Sequence, residues 1–475
     1  MNIRFRSLSL GRRVGFATAL EPPARRSLAF FVAGSVLLAL ASGCATYSER
    51  MLEVHAHVDR GDYESAIEDL NDLLGVDSAD ELPDSWKGDR PLAALERGVL
   101  LEAVEDFEAS SRDLGAADEE LEFLDLKTDA IGQIGRYIYS DSATTYRASP
   151  TERLALNGLN MANYLALGDL SGAAVESRRY TNMRDYLASI DLERTGTFGA
   201  YLSGFVFEHL GEGNRALRYY EEALEGGHLD SLVEPVGRLA RLNPYRGPRI
   251  EALLGRAESE GVRLATSGSA PAVPEILAIF ALGRVPHKVP ERIPLGAAIG
   301  IAGHWLTGSA ALLERSVFKV VVYPELVESP SLAREGRIEI DGNPIEVELV
   351  SHLGADIRRE YELIRPRIIG AALSRMIARA AVAEGARAAG REAGGAGELV
   401  GLLAALATEG SLVALDRPDT RSWTFLPERI AVARTRVRPG RHRVGIRIPG
   451  VAESRSVPVD VPESGFVVLL ITVPR

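Results

Sequence analysis

One cysteine in 475 residues, Cys44, leaves the chain without a disulfide partner, a cysteine metal site or a thiol nucleophile beyond that position. Lysine is nearly as scarce, with arginine about twelve times as frequent, a bias we read as genomic base composition rather than function. Several chemical signatures are also missing: His-Glu-x-x-His, Gly-x-Ser-x-Gly, a Gly-x4-Gly-Lys-Ser/Thr phosphate loop and an EF-hand loop. Gly395-Ala-Gly397-Glu-Leu-Val-Gly401 comes nearest to a nucleotide loop, but its last spacing is wrong. His55 and His57 stand two apart on a predicted helix, so their side chains diverge and a shared metal is not expected. His304, beside Trp305, sits in the apolar stretch 295–313, where a core or interface histidine is the default. The sequence therefore predicts no cofactor, no metal and no enzyme, with an envelope hydrolase as a remote alternative.

What is present begins with the leader. Six arginines and a single acid, Glu21, precede Cys44, and the run from Leu28 to Ala41 carries no charge. That run is too short for a comfortable membrane span, and it closes on small residues in Leu40-Ala41-Ser42-Gly43-Cys44. The pattern resembles the lipobox of bacterial lipoproteins, which implies that residues 1–44 form a signal peptide ending at a lipidated Cys44. More than one acyl chain makes such an anchor stable, since each buried methylene contributes roughly 0.8 kcal/mol. Arg25-Arg26-Ser27-Leu28 faintly resembles a twin-arginine export motif, and both export routes stay open. Ala45 lacks the aspartate that favours inner-membrane retention in enterobacterial lipoproteins, so the expectation is an outer-membrane lipoprotein facing the periplasm.

Without the residues before Cys44, 48 basic side chains face 65 acidic ones, a net charge of −17. From Ser331 onward the balance is +3, which leaves about −20 on residues 45–330. An acidic front half makes nucleic acid an unsuitable partner, because phosphate backbones need clustered positive charge. The expected partners are the membrane, through the lipid, and envelope proteins, with peptidoglycan or another anionic polymer as an alternative.

The fold class expected is α+β. Residues 45–262 show helical spacing, 263–273 read as a linker, and 274–475 read as a β-rich domain with a helical insertion at about 355–410. In the front half a Gly-x4-Ala pattern recurs in Gly61-Asp-Tyr-Glu-Ser-Ala66, Gly168-Asp-Leu-Ser-Gly-Ala173 and Gly211-Glu-Gly-Asn-Arg-Ala216. Each glycine can end one helix in the left-handed conformation, and each alanine allows the next helix to approach. The pattern resembles tetratricopeptide repeats, although Gly61 to Gly168 spans 107 residues, so degenerate units are expected between them; Leu95 to Phe107 is one candidate. Ser149-Pro150-Thr-Glu152 is a capping box that should start a helix running to about Leu167. Asn160 and Asn163 on that helix, with Glu176, Arg178 and Arg179 on its partner, read either as a polar peptide groove or as ordinary solvated charge.

In the C-terminal half, Pro274–Leu282 and Ser316–Tyr323 read as strands buried on both faces. Arg337–Val350 alternates around Asp341-Gly342 as a hairpin. The Ala- and Arg-rich stretch 355–391 reads as a helix covering the sheet, with a membrane-surface helix as the alternative. A turn at Pro439-Gly440 would pair Arg436 with Arg443 and Arg438 with Arg441 on one face, with Val444, Ile446 and Ile448 turned to the core. Such a face of like charges should meet an acid: the protein's own acidic half, an anionic polymer or another protein. The run from Pro439 to the closing apolar strand loosely resembles PEGA modules.

Taken together, Leu154-Ala-Leu-Asn157, Asn163-Tyr-Leu-Ala-Leu-Gly-Asp169, Glu176-Ser-Arg-Arg179, Asp419-Thr-Arg-Ser-Trp423, Leu426-Pro427 and Pro439-Gly440 resemble a family of largely uncharacterised bacterial outer-membrane lipoproteins with tetratricopeptide-like repeats. The resemblance implies a non-enzymatic scaffold in the cell envelope and brings no substrate or catalytic residue.

Overall fold

The computed structural model describes residues 46–121, 146, 148–188, 196–261, 273–302, 320–392, 418–451 and 454–475, and among the described residues ten α-helices precede the first strand. They are α1 (Tyr47–Arg60), α2 (Tyr63–Leu74), α3 (Arg90–Ala103), α4 (Phe107–Glu120), α5 (Pro150–Ala166), α6 (Leu170–Ala188), α7 (Thr197–His209), α8 (Gly213–Ala223), α9 (Val233–Leu242) and α10 (Pro248–Ser259). Tight turns join them in pairs, and α3 packs on α4, α5 on α6 and α7 on α8.

The turns follow from the glycines. Gly61, Gly168 and Gly211 have φ of 78°, 74° and 78°, the left-handed region that residues with a Cβ avoid. Ala66, Ala173 and Ala216, five residues on, are fully buried against the preceding helix. A fourth turn of this form joins α3 to α4, with Glu105 at φ 65° in the glycine place and the buried Ser110 in the alanine place. Asp106 caps α4 by accepting from the Ala109 N–H at 3.1 Å, as Asp62 caps α2 through Ser65. Helix α5 starts as its sequence predicts: Ser149 accepts from the Glu152 N–H, and Glu152 accepts from the Ser149 N–H.

The C-terminal half builds three sheets. Strand β1 (Glu275–Leu282) lies in a four-stranded sheet with order β10-β1-β7-β6, where β6 is Glu348–Ser351, β7 is Arg429–Arg436 and β10 is Phe466–Val473. It pairs parallel with β10 and antiparallel with β7. All eight of its residues are buried. A second four-stranded sheet has order β5-β4-β8-β9, from β4 (Arg337–Ile340), β5 (Asn343–Ile345), β8 (Gly440–Arg447) and β9 (Arg455–Val461). Ile276, Ala278 and Phe280 from the first sheet share one core with Ile338, Val444 and Val459 from the second, so the two form a sandwich. Helices α3 and α5 cover the other face at β10. That double cover explains why β1 reads as an unbroken apolar run. The third sheet is the antiparallel pair β2 (His287–Pro294) and β3 (Val320–Val327); helix α12 (Leu353–Glu392) packs on it through Ile364, Ile368 and Leu373, and α11 (Leu295–Ala302) follows β2.

Residues 50–475 form one compact unit. The acidic front half and the basic C-terminal half meet inside it in ion pairs: Arg284 with Asp59, Arg421 with Asp89, Arg434 with Glu208, Arg436 with Glu234 and Arg455 with Glu105. The charge asymmetry of the sequence is thus partly spent within the fold.

Three expectations need correction. Asp341-Gly342 makes its turn, with φ of 52° and 79°, and pairs Ile338 with Ile345. The second arm then leaves for the other sheet as β6, so Leu349 is exposed rather than packed in the hairpin face. The described strand at Ser316–Tyr323 is β3, starting at Val320, and it is half-buried because α12 covers a sheet of only two strands. Finally, β7 and β8 do not pair. Val437 donates to the Pro274 carbonyl at the end of the first sheet, and Pro439-Gly440 carries the chain across to the second, where β8 lies between β4 and β9. Arg436 therefore stands opposite Glu275, and Arg443 opposite Pro458. Val444 and Ile448 do reach the core.

The leader with Cys44, residues 263–272 of the linker, His304, and residues 393–410 of the helical insertion lie outside the described residues. Among the described residues no helix is long and apolar enough to cross a membrane.

Candidate binding cleft at the open seam of the sandwich

Helix α3 carries three charged side chains that are wholly buried, Glu96, Arg97 and Glu102. An apolar helix face tolerates this only where each charge meets partners or is neutralised. Arg97 is tied to Asp113 and Asn71 and to the Glu81 carbonyl, which fixes the loop between α2 and α3. Glu96 accepts from the N–H groups of Thr424 and Phe425 and from the Thr424 hydroxyl. This clamps the Asp419–Leu426 segment onto the helices, with Trp423, Phe425 and Leu426 fully buried beneath it. Burial still pushes the Glu96 carboxyl up to about 8, against those hydrogen bonds.

Glu102 has side-chain partners only: the Thr472 hydroxyl on β10 donates to Oε2 at 3.1 Å, and the Asn163 amide also faces this carboxyl. Burial pushes this carboxyl up to about 8, so it is protonated at neutral pH. It lines a cleft of about 590 Å³, within the range of roughly 300–1,000 Å³ typical of ligand sites. The walls are β10 from Val468 to Val473, β9 at Val457–Val459, and the turns at Gly61–Tyr63 and Glu102–Phe107. The cleft is thus the open seam of the sandwich, where the last strand of each sheet has no neighbouring strand on its outer side among the described residues.

At the rim, Arg455 is held by Glu105. Arg475 lies over Gly61, where a Cβ would meet its Nη1, and donates to the Val451 carbonyl at 2.9 Å. No carboxylate stands within ion-pair distance of Arg475 among the described residues.

The groove expected at α5 and α6 is not a groove. Asn160, Asn163 and Glu176 are all buried, because α5 is enclosed by α4, α6, α7 and β10. Asn163 donates to Ser110 at 2.8 Å, Asn157 donates to Glu176 at 3.3 Å, and the Asn160 amide also faces Glu176. Arg179 pairs with Glu176 at 3.2 Å and Arg178 is exposed. Burial pushes Glu176 up to about 7, opposed by Arg179 and helped by Asp118. Asn157, Asn160 and Asn163 thus form an internal polar seam.

The arginine face is likewise dispersed. Arg436 pairs with Glu234 at 3.2 Å, the Arg438 carbonyl accepts from His442 while Asp341 accepts from the Arg443 N–H, and Arg441 stands opposite Asp460. Among the described residues no three His, Cys, Asp or Glu side chains come together as a metal site.

The sequence reading missed Glu102 and the seam. The available signal was Glu102 itself, a carboxylate set in the apolar run Val99-Leu-Leu101. No family model, curated protein or solved structure matches this chain.

Proposed function

We propose that this chain is a lipid-anchored, non-enzymatic interaction protein of the bacterial cell envelope, tethered through Cys44 to the outer membrane and facing the periplasm, which seats a partner in the cleft at the sandwich seam. The observation that carries the reading is the cleft: an apolar-walled opening bounded by a strand edge. The lipobox-like Leu40–Cys44 supports the tether. The four helix pairs with left-handed turns support a tetratricopeptide-like scaffold whose turns form one wall of the opening. The anionic-polymer reading is the weaker alternative, since Arg441 and Arg443 share the exposed face of β8 while Arg436 lies in the other sheet, paired with Glu234.

The test places a photo-crosslinking amino acid at Arg455, on the cleft rim, or at Leu349, exposed on the opposite edge strand. Both go into the full-length protein in its host, with a Cys44→Ser background in parallel. A discrete adduct from position 455 alone is expected, together with release of the Cys44→Ser protein from the membrane fraction. Equal labelling from both positions, or no adduct at 455, counts against the cleft; unchanged membrane retention counts against the tether.

A further inference from the structure

The backbone of β10 has a direction that the cleft exposes. In a parallel pair the N–H and C=O of one residue point to the same side, and the side alternates along the strand. Glu275 donates to the Gly465 carbonyl and Gly283 to the Val473 carbonyl. Together with the register Glu275 to Phe466, this turns the backbone groups of Val467, Leu469, Ile471 and Val473 toward β1. Those of Phe466, Val468, Leu470 and Thr472 point away from it. Among the described residues nothing hydrogen-bonds to these outward groups, and Val468 to Thr472 line the cleft.

Edge strands are usually shielded by charge, proline or a covering element. Neighbouring β9 carries such devices, with Arg455, Pro458 and Asp460 on its seven residues. Strand β10, Phe-Val-Val-Leu-Leu-Ile-Thr-Val, carries neither a charge nor a proline.

We propose that β10 receives an extended segment of a partner polypeptide as an added strand, apolar at alternate positions, with a carboxylate of that segment against Arg475. The identification rests on the reading of the seam as a binding surface and names its occupant. An acyl chain would fit the apolar walls, but it would bury the outward N–H and C=O groups unpaired, at about 1–3 kcal/mol each. An incoming strand satisfies them, as in other complexes formed by strand addition. Charge complementarity sets the end: Arg475 is the rim cation without a carboxylate, whereas Arg455 already has Glu105.

The test uses hydrogen exchange on the full mature protein with a synthetic ten-residue peptide of alternating valine and threonine, glutamate at both ends. Comparators are the same peptide with lysine ends, the peptide N-methylated at alternate residues, and palmitate. The glutamate peptide is expected to slow exchange at positions 466, 468, 470 and 472 and to bind at least tenfold more tightly than the lysine-ended and N-methylated forms. Arg475→Gln should remove the preference for glutamate over lysine ends while leaving strand protection in place. Protection by palmitate equal to that by the peptide, indifference to N-methylation, or no slowing by any peptide overturns the proposal. A specific crosslink from position 455 to a non-peptide molecule would leave the cleft as a binding surface and remove only the added strand.

Discussion

Replacing Arg434 by alanine is expected to destabilise the protein by about 3–5 kcal/mol, the range found when one partner of a buried ion pair is removed. Arg434 projects from β7 into the contact with the helices, where it is 4% exposed. It reaches Glu275 at 2.7 Å, Glu208 at 2.9 Å and the Tyr220 hydroxyl at 3.0 Å, and its guanidinium lies over the Phe205 ring. Burial alone would push the Glu275 carboxyl up, but Arg434 and His209 hold it well below its usual range. Without the guanidinium two buried carboxylates remain, one with the His209 ring as its hydrogen-bond partner and the other with the half-exposed Arg238. Urea unfolding followed by circular dichroism would read the loss as a lower midpoint. Adding Glu208→Gln and Glu275→Gln to Arg434→Met should recover part of it, because the uncompensated charge is then removed.

The second large effect is on pH. Glu102 and Glu96 are pushed from 4.5 to about 8, and Glu176 and Glu360 to about 7, chiefly by burial. A carboxyl whose folded-state value is raised binds more protons folded than unfolded, so the stability it contributes falls as pH rises from about 4.5 to its folded value. His55 has the opposite effect at lower pH: burial and Arg284 lower it from 6.5 to about 4, so folding gains stability as pH rises through that window. Above pH 6.5 the remaining His55 contribution is small, since the unfolded imidazole is losing its last half proton, and the carboxyls decide the sign. Stability should therefore drop between pH 6.5 and 8, with Glu102 and Glu96 each contributing about 2 kcal/mol at 1.36 kcal/mol per unit. Glu102→Gln should flatten that slope by about 2 kcal/mol, read from urea midpoints across the pH range. An unchanged slope would mean that Glu102 is ionised in the folded protein.

Local structure was legible where one residue type has one conformational use. The capping box at Ser149, the left-handed glycines, the Asp341-Gly342 turn and the β1 run all act through neighbours in sequence, and short-range patterns report such features directly. The helix pair α3–α4 was legible only as the degenerate stretch Leu95 to Phe107, because Glu105 and Ser110 stand where glycine and alanine serve elsewhere. Its capping aspartate and tertiary packing hold the turn despite the residue at positive φ.

The candidate sites failed for a longer-range reason. A polar stripe at 157, 160 and 163 reads as a solvent face only if one side of the helix is free, and α5 has neighbours on all sides. The arginines around Pro439 read as a hairpin only if the chain stays in one sheet, whereas crossing lets β7 and β8 each bury an apolar face in the sandwich. Glu102 gains its meaning from Thr472, 370 residues later, and no local pattern carries that relation.

The claim on which the functional reading turns is that the outer edge of β10 is open to solvent and to a partner. Residue-resolved amide exchange on the purified protein without peptide measures it directly. Fast exchange at 468, 470 and 472 alternating with slow exchange at 467, 469, 471 and 473 is the predicted result. Uniform protection along the strand would contradict it, since some other segment of the protein would then already occupy that edge.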